Sequence, residues 1–452
     1  MSPDSLREDP SMPNTTFTPA ISARAARREN PPGIGHGLPT LASALTLALA
    51  ACGDVNPSGT NADVAIDTIG DTVVVRTLSG SVWGSVATLV PEASIGELEG
   101  AEEYLFGSIS SIAVDGDRTV YVLDGQAQHV RVFDSEGTYV RTLGGPGEGP
   151  TEFTRAEAIA LLPDGRLVVR DAGIKQLKVF GPGPDEVDQW PYSTSGTMSY
   201  SSTPLYTDVH GRTFQTDPGG WSPPDGFEPD QIIVLGPDGT HLDTIPEPWG
   251  DYEEPKVEWE RMSFPVPFSP YGHWAVAPGG HLVSAFSADY RIDVAHDNGV
   301  LRIERNAEPP RVPEGESSSY RDGLTEQYRT QMPDWRWQGP PIPDHKPFFS
   351  ELIAGRGGRI WVKLETEASP VEDPNYEPER PGDSPVRWRS ELRYDVFEAD
   401  GTYLGTVDPP DGYSSRPTPV FDGDLVWAAS RDELGVPRLV RYRIKVESAP
   451  EG

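Results

Sequence analysis

Apolar and polar positions alternate over short stretches along most of the chain, and glycine-containing turns separate these stretches. In ISSIAVDGDRTVYVLD (109–124) and AEAIALLPDGRLVVRD (156–171), two runs rich in β-branched and aromatic residues flank a tight turn, which predicts a β-hairpin. A second kind of hairpin, FDSEGTYVRTL (133–143), returns in near copies at 235–245 and 397–407. One hairpin of each kind makes a unit of four antiparallel strands, which we name A, B, C and D in chain order.

The units recur along the chain. Equivalent positions near the end of strand C follow one another at about 47, 55, 59, 103 and 45 residues: Phe133, Phe180, Leu235, Val294, Phe397 and Tyr442. The longest interval contains a single A–B hairpin, so it is one unit with insertions. Self-similarity of this period with four strands per repeat indicates a β-propeller. We predict an all-β, six-bladed propeller of four-stranded blades over 72–447, followed by a short tail, 448–452.

The last unit has no clear D strand. The stretch DTVVVRTLSGSVW, residues 71–83, supplies a spare strand before the first unit. Pairing of this N-terminal strand with the last unit would close the ring and remove an open sheet edge. We therefore predict closure through residues 71–83.

One short helix is predicted between units 4 and 5. Within 311–347 the apolar residues Tyr320, Leu324, Tyr328 and Met332 are spaced by four, which places them on one side of a helix, and serines are available at its start. The helix is expected to cover the mouth of the ring with this stripe packed inward.

The first unit resembles a known family. In YVLDGQAQHVRVFDSEGTYVRTLGGPGEGPTEF (121–153), Asp124 ends strand B, His129 enters strand C, and a glycine-rich stretch crosses to the next unit. This pattern resembles bacterial six-bladed β-propeller lipoproteins related to the NHL-repeat family. The resemblance extends over about 107–447 and is strongest in the first two units. The resemblance implies the six-bladed architecture. It does not imply one activity, because the group includes peptide, protein and carbohydrate binders and a few lyases or lactonases.

The single cysteine, Cys52, follows a segment typical of secretion. Arginines precede an apolar run, LPTLASALTLALAAC (38–52), that is too short to cross a bilayer. The ending Leu49-Ala50-Ala51-Cys52 resembles the lipobox of bacterial lipoproteins, which implies lipidation of Cys52. We predict a signal peptide over 1–51, a flexible tether over 52–71, and anchoring on the extracytoplasmic side of a bacterial cell-envelope membrane. The alternative is an unmodified cysteine behind an ordinary signal peptide.

The charge of the chain limits the kinds of partner that we expect. The chain has 70 acidic and 37 basic residues, a net charge of −33 and a pI of about 4.5. Such a charge repels phosphate backbones, so nucleic acid is not an expected partner.

All long connections are predicted at the B–C and D–A ends of the strands, hence on one face of the ring. These loops are rich in aromatic residues, among them Trp221, Trp259, Trp335, Trp337 and Trp388. Aromatic loops on a rigid scaffold are typical of recognition surfaces. We therefore predict that this face binds a protein, peptide or glycan. The alternative is that the rings only pack against one another.

Charged residues offer a second set of candidates on the same face. Asp124, Asp171 and Asp217 end successive B strands, and His129, Lys175 and Arg291 are basic residues of the following turns and C strands. The carboxylates either line a site for a cation or a basic ligand, or accept hydrogen bonds from their own turns. With Glu365 they define the alternative function, a calcium-assisted hydrolase or lyase. The metal is otherwise unknown and no other cofactor is evident, since the sequence has no nucleophile-elbow, phosphate-loop or zinc-helix motif.

Overall fold

The computed structural model describes residues 62–447, except 182, 184–185, 193–203, 218–220, 223–225, 228–229, 250–251, 260–261, 331, 380–382 and 433. Strands dominate this part of the chain and one α-helix is present, so the prediction of an all-β protein is confirmed. Over the same residues, no helix combines the length and the apolar character needed to span a membrane.

Three strands precede the first unit: β1 (Asp63–Ile69), β2 (Thr72–Ser79) and β3 (Ala87–Ile95). Unit 1 contains β4 (Ile109–Val114), β5 (Val120–Asp124), β6 (His129–Phe133) and β7 (Tyr139–Gly144). Unit 2 contains β8 (Ala156–Leu161), β9 (Leu167–Asp171), β10 (Gln176–Phe180) and β11 (Val187–Pro191). In both units neighbouring strands are antiparallel and pair in chain order.

Units 3 and 4 follow the same order, with extra elements around them. Unit 3 contains β12 (Tyr206–Thr207), β13 (Thr213–Asp217), the small hairpin β14 (Trp221–Ser222) and β15 (Gly226–Phe227), then β16 (Gln231–Leu235) and β17 (His241–Pro246). A separate hairpin follows, β18 (Lys256–Trp259) and β19 (Met262–Pro265). Unit 4 contains β20 (Gly272–Val276), β21 (Leu282–Phe286), β22 (Arg291–His296) and β23 (Gly299–Arg305).

The helix α1 (Glu314–Arg329) precedes the last two units. Unit 5 contains β24 (Phe349–Ala354), β25 (Ile360–Leu364), the hairpin β26 (Ser369–Glu372) and β27 (Val386–Arg389), then β28 (Tyr394–Phe397) and β29 (Tyr403–Asp408). Unit 6 contains β30 (Val420–Asp422), β31 (Leu425–Arg431) and β32 (Pro437–Val446). All six positions predicted near the ends of C strands lie in the third strands of these units.

The strand that completes unit 6 is β3, so the predicted closure through 71–83 is wrong. β3 runs antiparallel to β32, from Ala87 opposite Val446 to Ile95 opposite Leu439. Pro91 lacks an N–H, and the register shift beside it accommodates the residue within the pairing. The more apolar stretch forms β2 instead, which lies parallel to β23 on the outer edge of unit 4 and buries Val74 and Val75.

The predicted tether is also too long. Residues 63–69 form β1, which pairs antiparallel with β2 from Asp63 to Ile69. Residues 52–61, including Cys52, lie outside the described residues.

Hydrophobic packing between successive units holds the sheets together. Ile112 and Val122 of unit 1 share a buried cluster with Trp427 of unit 6, which brings the first and last units into contact. Trp361 and Phe421 stack at 4.2 Å between units 5 and 6. The first strands of all six units line a central cavity of about 990 Å³. Burial of these side chains supplies the main driving force for the association of the units.

Every inserted element lies in a B–C or D–A connection: the hairpins β14–β15, β18–β19 and β26–β27, and α1. These connections leave the same ends of the strands, and we call this side the insertion face. The predicted helix is confirmed, and Leu324, Tyr328 and Met332 pack on a cluster around Trp335. Its start differs from expectation, because Pro313 is at the N-cap without a side-chain cap.

Candidate binding sites on the insertion face

Asp124 and Asp171 are anchors of the backbone. The fully buried carboxylate of Asp124 accepts hydrogen bonds from the N–H groups of Gly107 and Ser108 (2.8 and 3.1 Å). It also accepts from the N–H groups of Gln126 and Ala127 within the B–C turn, at 3.0 and 3.1 Å. The carboxylate thus ties the end of strand B to the segment that leads into strand A. This geometry supports the interpretation of Asp124 as a turn-forming residue.

Asp171 repeats the arrangement in unit 2. Its carboxylate accepts from the N–H groups of Thr154, Arg155 and Gly173 at 3.0, 2.9 and 3.2 Å. Asp217, at the same position of unit 3, is buried as well. In unit 4 a buried serine, Ser287, lies one residue beyond the end of β21 and exchanges hydrogen bonds with the backbone of Tyr271.

The cations that support these connections lie two residues beyond His129 and three beyond Lys175. Arg131 donates to the carbonyl of Leu105, and Lys178 donates to the carbonyls of Gly149 and Glu152. Lys178 is fully buried 3.9 Å from Asp171, and burial lowers its pKa while Asp171 and Glu152 raise it. Both cations therefore hold the D–A connections. The sequence signal was present in HVRVF and QLKVF, where a basic residue sits in the middle of each C strand.

His129 and Lys175 occupy different environments. His129 is half-buried at the start of β6, and burial and Arg131 lower its pKa. Lys175 is exposed in the B–C turn of unit 2 with a left-handed backbone conformation (φ 54°), which Gln128 shares at the matching position of unit 1 (φ 56°).

Three of the predicted tryptophans contact other parts of the insertion face, and the side chains of the other two are not described. Trp335 is only 1% exposed, and Trp337 donates its indole N–H to the carbonyl of Pro340. The half-buried ring of Trp388 lies against Gly315 of α1, where a Cβ would come within 2.6 Å of the ring. The side chains of Trp221 and Trp259 fall outside the described part of the structure.

A buried ion pair fastens the helix. Lys346 donates to Glu316 at 2.9 Å and to the hydroxyl of Ser390 at 3.1 Å, and both charged side chains are almost completely buried. The pair joins the first turn of α1 to the chain just before β24. The helix and the two neighbouring hairpins therefore form a fixed layer on the insertion face.

A pocket of about 790 Å³ opens between units 3 and 4 on this face, and we call it the acidic pocket. Its charged wall has five carboxyl-bearing residues and one lysine: Asp230, Glu247, Glu253, Glu254, Glu258 and Lys256. Its aromatic wall consists of Trp249, Tyr252 and Tyr271. Trp249 and Tyr252 are held by Phe286, with ring centroids 5.4 and 4.7 Å apart. The sequence predicted aromatic residues in these loops but did not single out the carboxylates of this pocket.

Two carboxyls of this pocket are costly to ionise. Burial raises the pKa of Glu247, although the indole N–H of Trp274 opposes the shift. Burial also raises the pKa of Glu254, which Lys256 opposes. A cation that entered the pocket would stabilise the ionised forms of both groups.

Two of the predicted charged residues lie near this pocket. Arg291 is 6.0 Å from the ring centroid of Trp249. Burial raises the pKa of Tyr271 to about 12, and the negative charges of Glu365 and Glu351 contribute to the rise. Within the described residues, no group of three or more His, Cys, Asp or Glu side chains is arranged to hold a metal ion.

Comparison with known proteins supports the architecture. Residues 95–180 match the family model DUF5128, which is described as a 6-bladed beta-propeller. The chain is therefore propeller-like over its first two units, and the family supports the count of six blades. No curated protein matches the chain.

Several solved structures are similar in outline. A member of the DUF4221 family from Bacteroides vulgatus is 12% identical, with a TM-score of 0.49 over 80% of this chain and 99% of that one. A gluconolactonase from Xanthomonas campestris is 14% identical, with a TM-score of 0.37 over 80% and 98%. Virginiamycin B lyase from Staphylococcus aureus is 10% identical, with a TM-score of 0.35 over 74% and 94%. At these values the likeness carries no inference about activity.

Proposed function

We propose that this protein is a binding module of the cell envelope that recognises a protein, peptide or glycan through its insertion face. In this proposal six four-stranded blades, related to NHL-repeat propellers and closed by β3, provide the rigid ring. The inserted hairpins and α1 build the recognition surface on one side of it. The ring carries the surface and does not itself take part in chemistry.

The acidic pocket carries the proposal. Five carboxyl-bearing residues and three aromatic rings surround one cavity, and a single lysine offsets part of the charge. Aromatic faces and carboxylates together attract cationic groups, because the rings favour a positive charge and the carboxylates pair with it. Among the three ligand classes, a protein or peptide segment with lysine or arginine side chains fits this chemistry best.

Charge substitution tests the pocket. Glu253 and Glu258 are exposed on its rim, and the double variant E253Q/E258Q removes two negative charges without emptying the core. The matched control is D117N/E136Q, which removes two charges from exposed turns of unit 1 on the opposite face. We expect peptides rich in lysine or arginine to bind the wild type and the control equally and the pocket variant several-fold more weakly, as isothermal titration calorimetry would measure. Equal binding to all three proteins would refute the assignment of the pocket.

The pH dependence provides an independent check. Because burial raises the pKa of Glu247 and Glu254, both are less ionised than ordinary carboxyls in mildly acidic solution. Affinity for a cationic peptide is therefore expected to rise with pH as these groups ionise. A neutral oligosaccharide would show no such rise, and its selective binding would favour the glycan class instead.

Lipid anchoring at Cys52 is part of the proposal and rests on the sequence. The apolar run that ends in Leu49-Ala50-Ala51-Cys52 supports it. Mass spectrometry of the protein purified from membranes is expected to show a mature chain that begins at an acylated Cys52, and C52A should abolish the modification. Recovery of an unmodified Cys52 from the envelope would leave the ordinary signal peptide as the better interpretation.

The hydrolase or lyase alternative receives no specific support. It required the carboxylates of Asp124 and Asp171 as calcium ligands, and both are engaged by three or four backbone N–H groups. A carboxylate whose oxygens already accept such bonds would have to give them up to bind a cation.

A further inference from the structure

Three arginines stand at the insertion-face end of the central cavity, and we call this place the arginine mouth. Arg155 directly precedes β8, Arg416 lies in the connection that leads into β30, and Arg431 ends β31. All three line the cavity of about 990 Å³. They come from units 2 and 6, on either side of unit 1, whose Ser108 and Ser110 line the same cavity.

Two of these arginines are oriented by glutamates that are mostly buried. Arg155 lies 3.2 Å from Glu157, and Arg416 lies 3.7 Å from Glu351, whose side chains are 6% and 12% exposed. The arginine side chains themselves are more than half exposed, at 56% and 57%. Each guanidinium has five N–H donors, and its glutamate accepts only from one side. Most of these donors therefore remain available to the cavity or to water.

Each of the two glutamates lies at or next to an irregularity of its strand. The pairing of β8 with β9 shifts between Ala156 and Ala158, which makes Glu157 the additional residue of a bulge. The pairing of β24 with β25 shifts between Phe349 and Glu351, so Ser350 is the additional residue there and Glu351 follows it, opposite Lys363. Bulges redirect side chains and are frequent beside functional sites. Thr418 adds support, since its hydroxyl donates to Glu351 at 3.2 Å.

The local charge contrasts with that of the whole chain. The protein has a net charge of −33, yet the arginine mouth and its two supporting glutamates bear three positive and two negative charges, and Lys363 lies 3.8 Å from Glu351. Among the described residues, the partner of Arg431 is a carbonyl, that of Gly435 at 2.9 Å. A positive mouth on an acidic surface attracts small anions, and the overall charge rejects polyanions.

We propose that the arginine mouth binds a small organic anion, whose carboxylate, phosphate or sulfate group pairs with the guanidinium groups of the mouth while the uncharged remainder lies in the central cavity. Guanidinium groups pair with such oxyanions through two parallel hydrogen bonds. The cavity is large enough for a ligand of sugar or nucleotide size. This site is separate from the acidic pocket and does not depend on it.

The test uses four sugars that share the glucose ring and differ in the group at C6: glucose, glucuronate, glucose 6-phosphate and glucose 6-sulfate. Binding is measured by isothermal titration calorimetry at low and at physiological salt. We expect at least one anion to bind the wild type, glucose to bind undetectably, and the affinity for the anion to fall as salt rises. The ranking of the three anions identifies the oxyanion that the site prefers.

The variant R155Q/R416Q is expected to lose about tenfold or more in affinity, the equivalent of one charge-assisted hydrogen bond. The matched control, R321Q/R389Q, removes two exposed arginines of the same face that do not line the cavity, and it should bind like the wild type. If R155Q/R416Q does not fold, R155K/R416K keeps the charge and should still weaken binding, because lysine cannot form the paired hydrogen bonds.

Failure of all three anions to bind, or equal binding by R155Q/R416Q and the control, would overturn the proposal. The variant E253Q/E258Q separates this site from the acidic pocket. It should bind the anion as the wild type does, whatever the outcome for cationic peptides.

Discussion

Replacement of Asp124 decides whether the carboxylates at the ends of the B strands are structural or functional. Its side chain is completely buried and accepts four backbone N–H hydrogen bonds between 2.8 and 3.1 Å. In D124A these donors lose their acceptor inside the protein. In D124N one oxygen remains, but the new NH₂ group faces N–H donors and cannot accept from them.

The expected cost follows from these contacts. Hydrogen bonds to a charged group contribute about 1.5–3 kcal/mol each, and four of them set an upper bound of roughly 6–12 kcal/mol. The four share one carboxylate, and water can reach part of the turn once the side chain is gone, so the contributions are not additive. We expect D124A to lower the free energy of unfolding by about 3–5 kcal/mol and D124N by about 2–3 kcal/mol.

Urea denaturation followed by tryptophan fluorescence measures this loss as a lower midpoint at an unchanged slope. The control is D117N, an exposed residue of the neighbouring A–B turn, for which we expect a change within about 0.5 kcal/mol. Hydrogen exchange should also accelerate at the amides of Gly107, Ser108, Gln126 and Ala127. Wild-type stability in D124N, together with lost ligand binding, would refute the structural assignment and restore Asp124 as a binding residue.

Two further predictions concern buried charges. Burial lowers the pKa of His273 to about 4 from 6.5, so the unfolded chain binds this proton at a higher pH than the folded protein does. Relative to H273L, the wild type should therefore lose about 3 kcal/mol of stability between pH 6.5 and 4. The exposed-residue variant H241Q should lose stability as the wild type does, and a difference between wild type and H273L that does not change with pH would contradict the reasoning. E316Q or K346M alone should destabilise α1 by about 3–5 kcal/mol, because each leaves a buried partner, whereas E316L/K346M should cost less than either. Hydrogen exchange across Glu314–Arg329 measures this, and single variants as protected as the wild type would show that the ion pair does not fasten the helix.

Much of the fold could be predicted because the strands alternate in polarity and the turns contain glycine. The apolar residue near the end of each C strand located that strand, and apolar residues spaced by four located the helix. The closing strand was missed for a physical reason. In β3, ATLVPEASI, the residues Pro91 and Glu92 interrupt the apolar pattern. Its partner β32 lies some 350 residues away in sequence, so this pairing forms only because unit 6 has an outer edge that no local strand fills. The apolar residues of β2 matched the pattern better but pack on unit 4.

The site was harder to predict because the same residue types serve turns and ligands. An aspartate at the end of strand B looks identical in sequence whether it accepts from its own turn or faces a ligand. Periodicity also does not extend to irregular segments, so the carboxylates around Glu253 are seen to share a pocket only when units 3 and 4 come together. The pairing of Arg155 with Glu157 depends on a bulge that the sequence pattern does not reveal. What the sequence did predict was the side of the ring on which the insertions lie.

The N-terminal segment connects the ring to the proposed anchor. β2 covers the outer edge of unit 4, Val82 and Trp83 donate backbone hydrogen bonds to Tyr403 and Leu404 of unit 5, and β3 completes unit 6. One segment thus protects three consecutive outer edges, each of which would otherwise present unpaired backbone groups. Because this pairing starts at Asp63, residues 63–95 cannot act as a free tether. If Cys52 is lipidated, only the residues before Asp63 separate the lipid from the ring, a contour length of about 35 Å. The tether available to the proposed anchor is therefore shorter than the predicted range 52–71.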